Sequence, residues 1–152
     1  MRRVMLMGER GAGRHSLVHA LGGSATGGLL SLAVEYAGPF VLPPAEFLEN
    51  RRFYRALITA SMECGAVLFV QDATRATSAF PPGFARLYNR GVLGVITKTD
   101  RRDADVDRAT RFLRNAGLAP GQIIAVSAIT GHGLDALRCA AAEPLPQGRA
   151  PA

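Results

Sequence analysis

A glycine-spaced run, Gly8-Glu9-Arg10-Gly11-Ala12-Gly13-Arg14-His15-Ser16, stands between a short apolar stretch and a helix-compatible one. Glycines at 8, 11 and 13 let the backbone curl with its N–H groups turned inward, toward an anion. A helix opening directly behind such a loop adds its positive end. That geometry demands a strand before the loop and a helix after it, so residues 3–21 read as one βα unit. The remainder of the chain repeats the alternation. Strands are predicted at 3–7, 33–36, 39–42, 66–71, 92–97 and 123–126, and helices at 14–21, 49–62, 84–89, 103–116 and 134–142. Pro43-Pro44 stops one strand, and Gly117 ends one helix. This order predicts an α/β fold, a mostly parallel sheet of about six strands with helices on both faces. A chain of 152 residues suits one such domain, over 1–143. The stretch 22–28 is expected to be flexible and polar, and the Pro- and Ala-rich tail 144–152 mobile.

The loop approaches the phosphate-binding pattern G-x-x-x-x-G-K-[ST] and departs from it at two chemical positions. Arg14 stands where Lys is expected, and His15 where Ser or Thr is expected. Arginine keeps the charge but carries a bulkier planar fork that aims its donors differently. Only Lys98 among the 18 basic residues is a lysine, so arginine here fits the habit of the chain. His15 is a larger departure. Magnesium takes small oxygen ligands at about 2.1 Å in a near-octahedral shell, and imidazole suits softer metals. Ser16 comes one residue late, about 100° further round the helix. The candidate phosphate-binding set is Gly8, Gly11, Ala12, Gly13, Arg14, His15 and Ser16. Set against it is a glycine-rich strand-to-helix turn that binds no nucleotide.

Two later loops point to a guanine base. Thr97-Lys98-Thr99-Asp100 follows the apolar Gly94-Val95-Ile96 and fits [NT]-K-x-D. A carboxylate at 100 can accept both the ring N–H and the exocyclic amine of guanine, a donor pair that adenine lacks. The aliphatic stem of the sole lysine can cover the base. Ser127-Ala128-Ile129-Thr130-Gly131-His132-Gly133-Leu134 fits the second base-contacting loop, S-A-x-T-G-x-G-[LI]. Candidate base-binding residues are Thr97, Lys98, Asp100, Ser127 and Ala128. The three loops in this order and spacing indicate a P-loop NTPase fold of the GTPase type. A further motif, D-x-x-G after the third strand, would hold magnesium through its Asp and sense the γ-phosphate through its Gly. Here Leu42 and Ala45 occupy those positions. Magnesium support is thus missing at both His15 and Leu42. No metal ligand or catalytic residue is assigned.

Charge and cysteine usage exclude other classes. The net charge of +6 raises a nucleic-acid partner. The basic residues are scattered, however, and Arg51, Arg52 and Arg55 read as one face of an amphipathic helix. No zinc finger, RNA-binding aromatic motif or long basic run is present, so no dedicated nucleic-acid partner is expected. No apolar run reaches the roughly 18 residues of a spanning helix, and Met1-Arg2-Arg3 does not open a secretory signal. Cys64 and Cys139 show no metal spacing and read as packing thiols in a reducing cytosol.

The run Glu49-Asn50-Arg51-Arg52-Phe53-Tyr54-Arg55-Ala56-Leu57-Ile58-Thr59 resembles the E-N-R-R-x-Y-R-A-L-I run of the EutP/PduV family. So do Ala33-Val34-Glu35-Tyr36, Val70-Gln71-Asp72-Ala73-Thr74, Phe80-Pro81-Pro82-Gly83-Phe84 and Gly94-Val95-Ile96-Thr97-Lys98. The resemblance runs from about residue 3 to 137. It implies a small Ras-like P-loop protein of ethanolamine or propanediol utilisation, which binds GTP or GDP, with ATP as the alternative. It implies a cytoplasmic setting at a bacterial microcompartment, with shell or enzyme proteins as partners. Where the family reads D-T-P-G-E, this chain reads Leu42-Pro43-Pro44-Ala45-Glu46, a departure at the positions that serve magnesium and catalysis. Three functions stay open: a guanine-nucleotide binder with weak or no hydrolysis, an active GTPase or ATPase using Asp72 or Glu46 at a non-standard metal site, and a nucleotide-free scaffold.

Overall fold

The computed structural model describes residues 3–23 and 33–142. Its strands are β1 (Val4–Gly8), β2 (Glu35–Ala37), β3 (Phe40–Leu42), β4 (Ala66–Asp72), β5 (Gly91–Thr97) and β6 (Ile123–Ala125). Its α-helices are α1 (Arg14–Ala20), α2 (Ala45–Glu49), α3 (Tyr54–Ser61), α4 (Val106–Asn115) and α5 (Leu134–Ala142). The strands form one sheet in the order β2-β3-β1-β4-β5-β6. All pairings are parallel except β2 with β3. The expected six-strand, mostly parallel sheet is therefore present.

The near-continuous apolar runs of β1, β4 and β5 follow from burial on both faces of the sheet. Met5, Met7, Val67, Phe69, Val92 and Ile96 point to one side, where Leu48 of α2, Leu57 of α3 and Leu113 of α4 cover them. Leu6, Leu68, Val70, Leu93 and Val95 point to the other, against Leu17 and Val18 of α1 and Leu134 and Leu137 of α5. Helices thus flank both faces. Phe69 stacks on Phe80 with ring centroids 4.7 Å apart, and Phe84 and Tyr88 close the same cluster. This packing holds the segment that leaves the end of β4.

Strand order places the site. β1 is central, with β3 on one side and β4 on the other. The chain goes one way from β1 and then the other, which opens a crevice at the carboxyl end of β1. The loops after β1, β4, β5 and β6 all emerge at that edge.

Five sequence expectations are corrected. The single helix expected over 49–62 is broken. α2 starts at Ala45, directly behind Pro44, and Asn50 is extended at φ −130 and ψ 115. The Asn50 side chain accepts the Arg52 N–H at 3.2 Å, and a 3-10 turn, Arg51–Phe53, precedes α3. A side chain that bonds its own following backbone competes with the helix. Arg51, Arg52 and Arg55 are exposed but do not share one continuous helix. The helix expected from 103 starts at Val106, because Asp105 caps it by accepting the Arg108 N–H at 3.0 Å. The helix expected at 84–89 is a 3-10 turn, Phe84–Leu87. Of the two cysteines, Cys64 is a buried packing thiol and Cys139 is exposed. The flexible stretch expected at 22–28, beyond Gly23, and the tail 144–152 lie outside the described residues.

Candidate functional site

The glycine loop is built as its spacing requires. Gly8 ends β1, and a Cβ there would stand 3.0 Å from the Val70 carbonyl. Gly11 and Gly13 have φ values of 79 and 97, the left-handed region that glycine enters without penalty. Gly13 caps α1, and the Ala12 N–H closes the turn onto the Glu9 carbonyl at 3.0 Å.

The loops after β5 and β6 are pinned to this turn and to each other. The Thr97 hydroxyl donates to the Ala12 carbonyl at 2.6 Å, and the Lys98 ammonium donates to the Gly11 carbonyl at 2.7 Å. The Lys98 stem runs beside Gly13, where its Cε would stand 3.8 Å from an added Cβ. Lys98 itself has φ 60, the one positive value among the described non-glycine residues. A residue in that region of backbone space costs free energy and persists where its surroundings fix it. The Ser127 hydroxyl donates to Asp100 Oδ1 at 2.8 Å and accepts the Thr130 N–H at 3.1 Å. Ser127 is fully buried, whereas Asp100 is exposed. Thr97, Lys98, Asp100 and Ser127 thus come together in one place, with half-buried Ala128 next to Ser127.

Asp72 joins the two halves. It ends β4 opposite Thr97 in the sheet register. Its Oδ2 accepts Lys98 at 2.9 Å, and its Oδ1 accepts the Thr74 N–H and hydroxyl at 2.8 and 2.6 Å. Burial alone would push this carboxyl up, but the bonds from Thr74 and Lys98 outweigh it and hold the carboxyl below its ordinary value. A depressed folded value means a stability contribution that is complete above the unfolded value of about 3.9 and lost as pH falls through the folded one. Asp72→Asn should therefore be less stable at neutral pH. It should also lose less stability than the unsubstituted protein on acidification below about pH 4, as read by urea unfolding at stepped pH.

The other end of the loop does not match a magnesium centre. Arg14 is 8% exposed, and its Nη1 donates to the carbonyls of Leu6 at 3.2 Å and Pro43 at 2.6 Å. Burial pushes its pKa down, while Glu35 and Glu49 favour the charged form. The guanidinium ties the end of β1 to the turn after β3. His15 Nε2 stands 2.9 Å from Glu35 Oε1, which joins α1 to β2. Leu42 is buried in β3, and Ser16 is exposed on α1. Glu49 Oε1 accepts the Arg10 N–H of the loop at 3.3 Å. No three His, Cys, Asp or Glu side chains among the described residues converge as a metal site would require. A magnesium ion in its usual place does not fit the residues present: one expected oxygen ligand is an imidazole and the other is an apolar side chain.

Sequence reasoning did not place Glu9, Glu35, Glu49 or Arg75 at the site. Arg75 donates to Glu9 Oε2 at 2.6 Å and to the Arg10 carbonyl at 2.7 Å. The partners lie tens of residues apart, and no local pattern marks them. Asp72 had a local signal, a charged residue ending an otherwise apolar strand and followed two residues on by Thr74.

Comparison with known proteins agrees with this architecture. A family model described as "Ethanolamine utilisation - propanediol utilisation", PduV-EutP, matches residues 1–141. Propanediol utilization protein PduV of Citrobacter freundii is 31% identical over 136 residues, 89% of either chain. Probable acetate kinase EutP of Escherichia coli (strain K12) is 32% identical over 119 residues, 77% of this chain and 75% of that one. Translation elongation factor SelB from Methanococcus maripaludis, solved in complex with the GTP analogue GppNHp, superposes with a TM-score of 0.56 at 23% identity. That match covers 91% of this chain and only 32% of SelB. At that identity the likeness establishes the fold, the P-loop NTPase α/β fold expected from the three loops. With a family match across nearly its whole length and two relatives above 30% identity, this chain belongs to the PduV-EutP family of ethanolamine and propanediol utilisation.

Proposed function

We propose that this chain is a guanine-nucleotide-binding protein of ethanolamine- or propanediol-type catabolism that holds its nucleotide without magnesium and hydrolyses it weakly or not at all. One observation carries the reading. Thr97 and Lys98 are bonded to the glycine loop, and the Ser127 hydroxyl is bonded to Asp100 at 2.8 Å. An exposed carboxylate fixed in this way suits the paired N–H donors of guanine. The family's setting suggests a place at a bacterial microcompartment, with its shell or enzyme proteins as partners. Among the described residues no helix is long and apolar enough to cross a membrane.

Weak turnover follows from the other end of the site. Phosphoryl transfer depends on a metal to neutralise developing charge, and the positions that would hold it carry His15 and Leu42. Asp72 is a poor substitute ligand, because both of its oxygens are engaged by Thr74 and Lys98. Titration calorimetry with GDP, GTP and ATP, each in EDTA and in magnesium, tests the reading. GDP and GTP are expected to bind in both buffers, and ATP far more weakly in either.

A further inference from the structure

Two cations beside the glycine loop, Arg14 of the candidate phosphate set and Lys98 of the candidate base set, are already engaged. Arg14 is buried on the carbonyls of Leu6 and Pro43. Lys98 is held by the Gly11 carbonyl and Asp72. Arg10 lies in the loop, but it is exposed and no contact among the described residues fixes its guanidinium. Arg75 is different. Its backbone N–H bonds the Asp72 carbonyl at 3.2 Å, so its base is anchored to the turn after β4, whose Asp72 also accepts Lys98. Its guanidinium lies along the glycine loop: Nη1 on Glu9, Nη2 on the Arg10 carbonyl, and Nη2 3.9 Å from where a Cβ on Gly11 would stand. The Arg75 side chain is 40% exposed, whereas Glu9 is 13% exposed.

On the reading that this loop holds the phosphates of a nucleotide, we propose that Arg75 is the site's phosphate-pairing cation, parked on Glu9 until a polyphosphate ligand competes for it. A guanidinium has five N–H donors, and the two described contacts use one from each terminal nitrogen. Its remaining donors are free to meet an anion at the same lip. A terminal phosphate carries more charge than a carboxylate and three acceptor oxygens, so it competes well for the fork. The pairing also settles why an acid is tolerated in an anion-binding loop. Without Arg75, the Glu9 carboxylate would repel the ligand.

Neutralising Glu9 and binding phosphate are separable roles. GDP, inorganic pyrophosphate and guanosine are titrated into the unsubstituted protein, Arg75→Ala, Glu9→Gln and the double variant. Arg75→Ala is expected to weaken GDP and pyrophosphate about tenfold or more, the scale of one lost charge-assisted hydrogen bond, and to leave guanosine unchanged. Glu9→Gln is expected to bind both phosphate ligands at least as tightly as the unsubstituted protein. The double variant should stay weak. If it instead recovers the unsubstituted affinity, Arg75 only neutralises Glu9 and the assignment is wrong. GDP binding that is untouched by Arg75→Ala would overturn this assignment and leave the nucleotide reading standing. A protein that binds neither GDP nor pyrophosphate would remove both.

Discussion

Asp100→Asn is expected to weaken GDP about a hundredfold and to turn the preference toward xanthosine diphosphate. The carboxylate can accept two donors from guanine, and hydrogen bonds to a charged group are worth roughly 1.5–3 kcal/mol each. An amide offers one acceptor and one donor, so an N–H of the side chain would face an N–H of the base. Xanthine carries an oxygen where guanine carries its amine, which restores the pairing. Folding should be almost unaffected. Asp100 is exposed, and an asparagine oxygen can still accept the Ser127 hydroxyl. Competition between GDP and xanthosine diphosphate on both proteins measures the effect. An unchanged preference would mean that this loop does not read the base.

Arg14→Ala should destabilise the nucleotide-free protein by about 2–4 kcal/mol, the combined scale of orphaned buried acceptors and a truncated buried side chain. The substitution leaves the Leu6 and Pro43 carbonyls without their described donor and takes the cation from beside Glu35 and Glu49. A lysine in the usual phosphate-loop role behaves in the opposite way: its loss costs ligand affinity and little stability. Urea unfolding without nucleotide separates the two. An unchanged midpoint would show that the guanidinium is not what joins β1 to the turn after β3.

Much of this architecture was legible in the sequence because its signals are local. Apolar runs such as Val92 to Thr97 mark strands buried on both faces, and glycines at 11 and 13 mark backbone that only glycine adopts easily. The candidate base-binding residues could be picked out for the same reason, since Thr97, Lys98 and Asp100 lie within four residues of one another. The break at Asn50 was harder to see. Residues 49–62 are helix-compatible throughout, and what ends α2 is a single side-chain bond to the Arg52 N–H. The orientation of Arg14 was not legible at all. Its identity suggested a phosphate ligand, yet where a long side chain points depends on the acceptors the fold brings near it, here a carbonyl 29 positions away. The Arg75–Glu9 pair, 66 positions apart, belongs to the same class. His15 and Leu42 were visible as departures from a pattern, but the contact of His15 with Glu35 was not.

On the proposed function, the loops after β1, β5 and β6 hold a guanine nucleotide without magnesium. Calorimetric titration of GDP and GTP in EDTA and again in millimolar magnesium addresses it directly. The expected result is binding of both nucleotides with affinities that agree within a few-fold in the two buffers. GTP binding that appears only with magnesium would contradict the claim and would require oxygen ligands other than the residues at 15 and 42.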